Sequence, residues 1–407
     1  MGCLASRPLK VAFLFTTFPK TSETFLQRDV AALIEHGVDV RLYSLWGGGG
    51  EFRGRTVRTF NLWNLVPLLL LTIPWNCLRR PRIVRDLFEG VIMRAPPAWL
   101  NFWENMLGAG FAGCFYREFR RDPPDLVHGA WAGAPATAGW LLWRILGLPF
   151  SCGAHAYDLY EHGGDWWLFE KLRLARFVQT STDTGRQYLV EHGIAPEKIF
   201  TIRRGLAEFP EFKPLRAARR PLRLLCIARL VEKKGLRRQL RIYATLREAG
   251  FAFEARIAGD GPLREELRAL VDSLGLSGQV KFLGQLPHER IWNELAWADV
   301  LLHTGVVAPS GDRDGLPNVI PEAMAAGVLV VSSPVSATIE AVQQERTGLV
   351  CDVDLPLAWQ VALERLASDD ALTERLRRQA RAWVEENYDA RKNTARLREL
   401  FQSVARR

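Results

Sequence analysis

The sequence predicts an α/β fold built from two doubly wound domains that face each other across a cleft. Short apolar runs of strand length alternate with amphipathic helical stretches, and this alternation starts again after a proline-rich segment in the middle of the chain. The chain has 407 residues, more than one core ordinarily organises, and 48% of them are hydrophobic, enough for two cores. The predicted division is a first domain at 1–206, a linker at 207–221, a second domain at 222–385 and a terminal helix at 386–407 that packs back on the first domain.

The first half begins with a strand–helix–strand unit. The apolar run 11–15 is its first strand, and an amphipathic helix follows until Gly37 ends it. The second strand is 38–44, so this is a βαβ unit of the kind that builds parallel sheets. Helices separate the further strands expected in this half, which are 126–128, 150–154 and 177–180.

The second half repeats the alternation and ends in helices. A long helical pattern runs from 357 to 401 and is interrupted near 387–389. Neither half has the dinucleotide fingerprint Gly-x-Gly-x-x-Gly after its first strand, which argues against a hydride-transfer enzyme. The predicted strands are 222–228, 253–258, 280–283, 300–303 and 328–332.

Charge and cysteine usage narrow the partners and the compartment. The net charge of +9 favours an anionic partner such as a nucleotide, a lipid diphosphate or a phospholipid surface. Nucleic acid is not expected, because the basic residues are scattered and no zinc-finger or RNA-binding signature is present. The six cysteines form no Cys-x-x-Cys pair, which is typical of thiols in a reducing compartment. Residues 1–10 are too short and polar for a signal peptide, so a cytoplasmic location is expected.

One apolar run suggests contact with a membrane. Residues 62–75 are shorter than the roughly 20 residues that span a bilayer, and a cluster of arginines follows them. Leu, Ile and Trp beside clustered Arg suit peripheral contact with an anionic membrane, here the inner face of the plasma membrane. A buried core helix with a basic end is the alternative. The arginines are Arg79, Arg80, Arg82 and Arg85.

Two carboxylates lie eight positions apart around a predicted helix start. Asp314 is in a turn-rich stretch, and Glu322 is on a helix that begins after Pro317 and ends at Gly327. The first N–H groups of a helix have no partners within it, and together with the helix dipole they attract phosphate. The stretch can thus hold an anion between two groups that accept hydrogen bonds from hydroxyls, which matches the outline of a nucleotide sugar. The alternative is an exposed helix with an acidic start.

A second stretch supplies cations. The apolar strand 222–228 is followed by Arg229 and, five residues later, by Lys234. Open α/β sheets bind ligands beyond the carboxyl ends of their strands, where these two side chains are expected. Arg offers a planar fork to phosphate oxygens, and Lys offers a compact charge. A solvated basic turn is the alternative.

These motifs resemble the retaining family-4 glycosyltransferases of the GT-B type over nearly the whole chain. In that family a Glu-x7-Glu pair marks the donor site, and Asp314 and Glu322 have this spacing. The family's Arg-x4-Lys-Gly pattern matches Arg229, Lys234 and Gly235. In the first half, 18–25 and 155–158 resemble a branch that builds exopolysaccharides such as colanic acid.

This chain departs from the family pattern at three places. The first carboxylate is Asp314 instead of Glu, which shortens its reach by one methylene. Ala228 takes the place of the glycine that usually precedes the strand-end Arg. Arg203-Arg204-Gly205 stands where relatives have an Asn-Gly turn.

The resemblance assigns a role to each donor-site residue. Arg229 and Lys234 bind the diphosphate of a nucleotide sugar, and backbone groups in the window Gly315, Leu316, Asn318 and Val319 assist them. Glu322 accepts from the ribose hydroxyls. Asp314 accepts from the sugar, so Asp314, Glu322 and His155 form the catalytic set.

The first-half residues carry open alternatives. By resemblance His155 faces the donor sugar, and the alternative is a buried core histidine. Ser22, Glu23 and Thr24 are candidates for the acceptor site, and a helix-capping cluster is the alternative. His128 is either structural or acceptor-lining.

The resemblance implies a metal-independent hexosyltransferase without a cofactor. The donor is a UDP- or GDP-hexose, and the acceptor is a hydroxyl of a glycan or of a lipid-diphosphate-linked glycan. Retention without an evident nucleophile implies attack by the acceptor on the face that the leaving group vacates. The alternatives are a sugar-nucleotide hydrolase, epimerase or phosphorylase on the same fold, and a non-catalytic binding protein derived from a transferase.

Overall fold

A computed structural model describes residues 7–20, 23–60, 96–215 and 220–405. Between 60 and 96 it describes 63, 66, 70, 71, 73–82, 85 and 89. The chain divides into two compact units. The first consists of Met1–Gly205 together with Ala390–Arg407, and the second is Leu206–Asp389.

The described part of the first unit contains an eight-stranded sheet. Its strand order is β3-β4-β2-β1-β5-β6-β7-β8, and every pair is parallel except β3 with β4. The strands are β1 Lys10–Phe15, β2 Asp39–Ser44, β3 Gly50–Phe52, β4 Arg55–Thr59, β5 Leu126–Gly129, β6 Phe150–Gly153, β7 Val178–Thr180 and β8 Ile199–Thr201. The helices are α1 Thr24–Glu35, α2 Ile73–Arg79, α3 Trp99–Arg121, α4 Ala134–Leu146, α5 Ala156–Tyr160, α6 Leu168–Leu174 and α7 Asp183–Glu191.

The second unit is built on a fully parallel sheet. Its strand order is β11-β10-β9-β12-β13-β14. The strands are β9 Leu222–Ile227, β10 Phe253–Ala258, β11 Val280–Gly284, β12 Val300–His303, β13 Leu329–Ser332 and β14 Leu349–Val350. The helices are α8 Leu236–Glu248, α9 Arg264–Ser273, α10 His288–Trp297, α11 Val319–Ala325, α12 Thr338–Ala341, α13 Pro356–Ser368 and α14 Asp370–Asn387.

Both sheets are doubly wound. In each unit the first strand is central, the next strands in sequence lie on one side of it, and later strands continue on the other side. Nearly continuous apolar sequences such as 11–15 and 224–227 form the central strands, because helices cover both faces of a parallel sheet. The predicted fold class of two Rossmann-like α/β domains is confirmed.

The strands that the sequence did not predict lie at or next to the sheet edges. β3 and β4 are short and polar, so they lack the apolar pattern that marks a strand. They form through pairing, since Val57 of β4 is buried opposite Leu42 of β2. The edge strands β8 and β14 have three and two residues.

The helical pattern 357–401 forms three helices. Asp369 begins α14, and its side chain accepts from the N–H of Leu372. The break near 387–389 is present and precedes the last helix, α15 Ala390–Val404, which belongs to the first unit. There α15 packs on α1, and Leu397 and Phe401 are fully buried. The Phe401 ring packs against those of His128 and Phe177, with centroids 5.0 and 5.9 Å away.

The proline-rich segment, interpreted from the sequence as a linker, packs on the second unit. The buried Arg377 of α14 donates from Nε to the carbonyl of Gly327 at 2.7 Å and also donates to the carbonyl of Lys213. Arg381 donates to the carbonyl of Pro210 at 2.8 Å. These arginines also lie over the rings of Phe212 and Phe209.

Replacing Phe401 by Ala will destabilise the first unit by about 3–5 kcal/mol, the usual cost of deleting a buried phenylalanine ring. Hydrogen exchange measured peptide by peptide will show lost protection in β1 and β5, while β9 and β10 keep theirs. Exposed Glu399→Ala is the control, expected to leave both units unchanged. Equal loss of protection in both units would contradict the assignment of α15 to the first unit.

Candidate active site

The candidate site lies where the second sheet reverses its winding. β9 and β12 are parallel neighbours, with Leu224 opposite Val300 and Leu225 opposite Leu301. Their carboxyl ends therefore meet at one edge of the sheet, and the loops 228–235 and 304–318 leave from there. Ligands of open α/β sheets bind at this kind of switch point.

Backbone contacts hold the two loops together. A 3₁₀ turn, Glu232–Lys234, follows β9, and the Thr304 hydroxyl donates to the carbonyl of Lys234 at 3.1 Å. The N–H of Val306 donates to the carbonyl of Lys233 at 2.9 Å. Gly235 ends the turn with φ +62°, and a Cβ there would lie 1.9 Å from the carbonyl oxygen of Thr304. Only glycine allows this approach.

The predicted donor-site residues Lys234 and Asp314 form an ion pair. Nζ of Lys234 lies 2.5 Å from Oδ2 of Asp314, and the two side chains are 13% and 12% exposed. Beside them Lys233 pairs with Asp312 at 2.8 Å and lies 3.8 Å from Oδ1 of Asp314. The structure therefore joins a carboxylate and a cation that are eighty positions apart in the chain.

The sequence did not predict two residues of this site, His303 and Ser332. His303 contacts Asp314, and Ser332 contacts His303. Nε2 of His303 lies 3.4 Å from Oδ2 of Asp314, and Nδ1 lies 3.1 Å from Oγ of Ser332. Both residues are buried. Their place in the sequence could have indicated them. Each is the last residue of a predicted strand, so each is expected at the same edge of the sheet as Arg229.

The electrostatics of this cluster favour an ionised Asp314 and a neutral His303. Burial by itself would raise the pKa of Asp314, but Lys234 and His303 outweigh burial and hold that pKa well below its usual value. Burial lowers the pKa of His303 and outweighs the hydrogen bond to Asp314, which raises it, while the nearby Lys234 adds to the lowering. At neutral pH the cluster therefore contains an ionised Asp314 and an uncharged imidazole.

The predicted helix start is present. Asn318 precedes α11, and the N–H of Ile320 donates to the carbonyl of Pro317 at 3.1 Å. The N–H groups of Asn318 and Val319 are the candidate anion donors at this helix start, because that of Ile320 is engaged and prolines have none. Glu322 lies one turn into α11 and is buried.

The other residues that were predicted at the donor site differ in solvent exposure. Gly315 and Leu316 are half-buried, and Leu316 packs on the core beneath α11. Arg229 is exposed, and its loop is fixed by the N–H of Leu230 donating to the carbonyl of Asp260 at 2.9 Å. In contrast to Lys234, Arg229 is accessible from solvent.

In the first unit His155 follows β6 and is buried. Its N–H and that of Ala132 each donate to Oδ2 of Asp158 at 3.2 Å, so one carboxylate connects the loops after β5 and β6. Nδ1 of His155 is buried without a hydrogen-bond partner among the described residues. Burial lowers the pKa of His155, with Arg204 and His128 adding to the effect, so the ring is neutral. The ring faces a small recess lined also by Asp29, Gln179 and Arg204.

His128 has the surroundings of a core histidine. Its Nδ1 lies 2.8 Å from Oγ of Ser151, and aromatic rings including those of Phe13 and Phe401 enclose it. Burial lowers the pKa of His128 to about 3. These contacts favour the structural alternative over an acceptor contact.

The acceptor-site prediction at 22–24 falls partly outside the described residues. Ser22 and the side chain of Thr24 lie outside them. Glu23 precedes α1 without a side-chain capping bond, which does not support the capping alternative for this residue. Its carboxylate pairs with Lys20 at 3.0 Å. Within the described chain, no three His, Cys, Asp or Glu side chains converge on a potential metal site.

Solved structures share this fold over the whole chain. The HepE protein of Anabaena, solved in complex with UDP, matches 97% of this chain and 100% of its own with a TM-score of 0.72 at 17% identity. Sucrose-phosphate synthase from Thermosynechococcus elongatus covers 97% of this chain and 99% of its own, with a TM-score of 0.72 at 16% identity. At these identities the likeness shows the fold, which is the GT-B arrangement of two Rossmann-like domains.

Two family models divide the chain between them. Residues 22–207 match Glycosyltransferase Family 4, and residues 209–383 match Glycosyl transferases group 1. Each half of the chain therefore matches a glycosyltransferase domain model, and the site described above lies in the group 1 domain.

Full-length relatives point to a narrower group. AmsK of Erwinia amylovora, an amylovoran biosynthesis glycosyltransferase, is 28% identical over 98% of this chain and 100% of its own. WcaL of Escherichia coli (strain K12), which is named for colanic acid biosynthesis, is 27% identical over 97% of this chain and 100% of its own. The predicted resemblance to the exopolysaccharide branch agrees with these names.

Replacing Gly235 by Ala will disrupt the site, because the added methyl group meets the carbonyl of Thr304. Gly250→Ala is a matched control, since Gly250 has φ +68° but no atom within 4 Å of a Cβ. The control will cost about 1 kcal/mol for its left-handed backbone. Urea unfolding will show a larger loss of stability for Gly235→Ala, and thermal shift will show no stabilisation of that variant by UDP or GDP. Equal losses in the two variants would contradict the close approach of the loops.

Proposed function

We propose that the chain is a retaining glycosyltransferase of exopolysaccharide synthesis. It moves a hexose-type sugar from a UDP- or GDP-sugar to a hydroxyl of a glycan or lipid-diphosphate-linked glycan. The observation that carries the proposal is the buried meeting of Lys234 and Asp314 beside α11, at the switch point of the group 1 domain. The full-length relatives named for exopolysaccharide biosynthesis and the UDP complex of HepE support it.

The cations at the sheet edge suit the leaving group. As the bond from sugar to phosphate breaks, negative charge develops on the diphosphate, and fixed positive groups stabilise that charge. Exposed Arg229 offers a fork to phosphate oxygens, and Lys234 offers a charge from a water-poor position. The N–H groups of Asn318 and Val319 are the backbone donors in this proposal. These groups supply the required charge without a metal or a cofactor.

The carboxylates suit the hydroxyl-bearing parts of the donor. In this proposal Glu322 accepts from the ribose, and Asp314 accepts from the hexose ring. The reacting sugar becomes oxocarbenium-like, so attack by the acceptor hydroxyl on the vacated face retains the configuration without a covalent intermediate. In this proposal His155 contributes a neutral imidazole at the recess that it lines with Asp29 and Arg204.

The alternative functions differ in what they do with the donor. A sugar-nucleotide hydrolase on this fold releases nucleoside diphosphate from the donor in water, whereas a transferase needs an acceptor. An epimerase or a phosphorylase also turns over without a glycan acceptor. A non-catalytic descendant binds the donor without any turnover.

Peripheral contact with an anionic membrane forms part of the proposal. Much of the run 62–75 lies outside the described residues. Its described side chains Trp63, Leu70, Leu71 and Trp75 are exposed, so they do not have the surroundings of a core helix. The guanidinium of Arg79 lies 4.2 Å from the centre of the Trp75 ring.

A second exposed apolar group lies on the same unit. The first turn of α3 presents Trp99 and Trp103, which are 73% and 65% exposed. Tryptophan beside arginine is typical of side chains at a lipid headgroup layer. No helix in the described ranges is both long and apolar enough to cross a bilayer. The buried cysteines Cys152 and Cys226 are free thiols, which suits the cytoplasmic side of the plasma membrane.

Lys234→Ala will lower transfer by about 10²–10³, the usual cost of losing one transition-state donor. Lys281→Ala, an exposed change on β11, is the control with an unchanged rate. Transfer is measured with labelled UDP- and GDP-hexoses and a membrane extract as acceptor. Each donor is also incubated alone to detect hydrolysis. Wild-type transfer by Lys234→Ala would refute the donor site, and rapid nucleotide release without acceptor would favour the hydrolase.

Trp99→Glu with Trp103→Glu will weaken binding to vesicles of phosphatidylglycerol by about tenfold or more, because both side chains lose their apolar contact with lipid. Trp46→Glu, on another exposed tryptophan of the same unit, will leave binding unchanged. Co-sedimentation is the measurement, with phosphatidylcholine vesicles as the uncharged comparison. Binding to neither vesicle by the wild-type chain, or equal binding by all three proteins, would contradict the membrane proposal.

A further inference from the structure

The cation that the proposed function gives to the donor already has a partner within the chain. Nζ of Lys234 lies 2.5 Å from Oδ2 of Asp314, and neither side chain is more than 13% exposed. Asp314 is also the first carboxylate of the spaced pair Asp314 and Glu322. One contact therefore connects the group proposed to hold the diphosphate with the group proposed to hold the sugar.

A diphosphate and this carboxylate compete for the same ammonium group. Two negative groups that approach one buried cation repel each other, and water is too scarce there to screen the repulsion. Breaking a buried pair costs several kcal/mol unless the separated charges gain other partners. Lys234 gains the phosphate, so the question is what Asp314 gains.

His303 supplies that second partner. Its Nε2 lies 3.4 Å from Oδ2 of Asp314, the same oxygen that Lys234 contacts. Its Nδ1 lies 3.1 Å from Oγ of Ser332, and the Ser332 hydroxyl also has the carbonyl of Ser333 as an acceptor at 3.0 Å. A neutral His303 with its proton on Nε2 donates to Asp314, and its Nδ1 then accepts from the Ser332 hydroxyl, which turns away from the Ser333 carbonyl. The negative charge of Asp314 selects this arrangement over the opposite tautomer.

The Ser332, His303 and Asp314 contacts do not make a hydrolytic triad. Ser332 is fully buried under the strand ends, so its hydroxyl has no path to a substrate. The two contacts of the imidazole are also the reverse of those in a hydrolytic triad, since here the serine contacts Nδ1 and the carboxylate contacts Nε2. The three residues are better explained as a support that orients the carboxylate.

We propose that Asp314 is an internal counter-ion that competes with the donor diphosphate for Lys234, and that His303 is a positioning residue that retains the carboxylate when the diphosphate takes the lysine. The inference rests on the proposed function of Lys234. It gives the donor site a regulatory property, because nucleotide affinity is held down by a residue that catalysis needs. The competition favours release of the nucleoside diphosphate product once the sugar has left.

The test is calorimetric titration of the full chain with UDP and with GDP. Asp314→Asn keeps the shape of the side chain and removes its charge, so it will tighten binding of the nucleotide by about tenfold while lowering transfer. Asp312→Asn is the matched control, since it removes one carboxylate from the same loop but one that pairs with Lys233. That control will change affinity less than about threefold. Asp314→Ser is a second charge-removing variant, in case the amide disturbs folding.

Double variants separate this inference from the proposed function. In a Lys234→Ala background, Asp314→Asn will have little effect on affinity, because the contested cation is gone. His303→Leu will weaken nucleotide binding several-fold, His303→Gln will restore it through its amide N–H, and neither will have an effect in the Asp314→Asn background.

Each outcome decides one of the two proposals. If neither nucleotide binds, or if binding ignores Lys234→Ala, the proposed function fails and the inference fails with it. If binding depends on Lys234 but Asp314→Asn does not tighten it, or tightens it no more than Asp312→Asn, only the competition is refuted. If His303 substitutions act equally with and without the Asp314 charge, the positioning role of His303 is refuted.

Discussion

The contact between Lys234 and Asp314 organises the second unit's site. Burying two charges is costly unless they are paired and have further polar partners, and this pair meets both conditions. Gly235 permits the loop after β9 to touch the loop after β12, and the Thr304 hydroxyl fixes the backbone of the lysine itself. His303 and Ser332 then hold the carboxylate from the strand ends. Each of these contacts depends on β9 and β12 being neighbours.

The first unit also gathers polar groups at the carboxyl ends of neighbouring strands, but the groups are different. Its sheet also reverses beside the first strand, and polar groups gather on the loops after β5 and β6. There a single carboxylate, Asp158, receives two backbone N–H groups, and burial raises its pKa to about 7 against the lowering effect of those N–H groups. The result is a rigid turn that presents the neutral ring of His155. The second unit thus has charged side chains at its strand ends, whereas the first has an uncharged imidazole there.

AmsK and WcaL resemble this chain over nearly its full length, and the solved structures share its fold. The contacts at the site depend on single residues. Asp314 has a shorter reach than the glutamate expected at its position, and here it pairs with the lysine below it. His303 stands where it can hold that shorter side chain in place.

The sequence by itself determined the two-domain α/β fold, because buried parallel strands need continuous apolar runs and those runs are visible without coordinates. It also determined the donor-site candidates Arg229, Lys234, Asp314 and Glu322, since strand ends and helix starts have recognisable residues. It did not determine the short polar strands β3 and β4, which form only through pairing, β4 with β2 and β3 with β4. Nor did it show that Lys234 would contact Asp314, that His303 and Ser332 would lie beneath them, or that His128 would be enclosed by aromatic rings. Contacts between residues far apart in the chain depend on strand order and loop packing, and no local pattern encodes these.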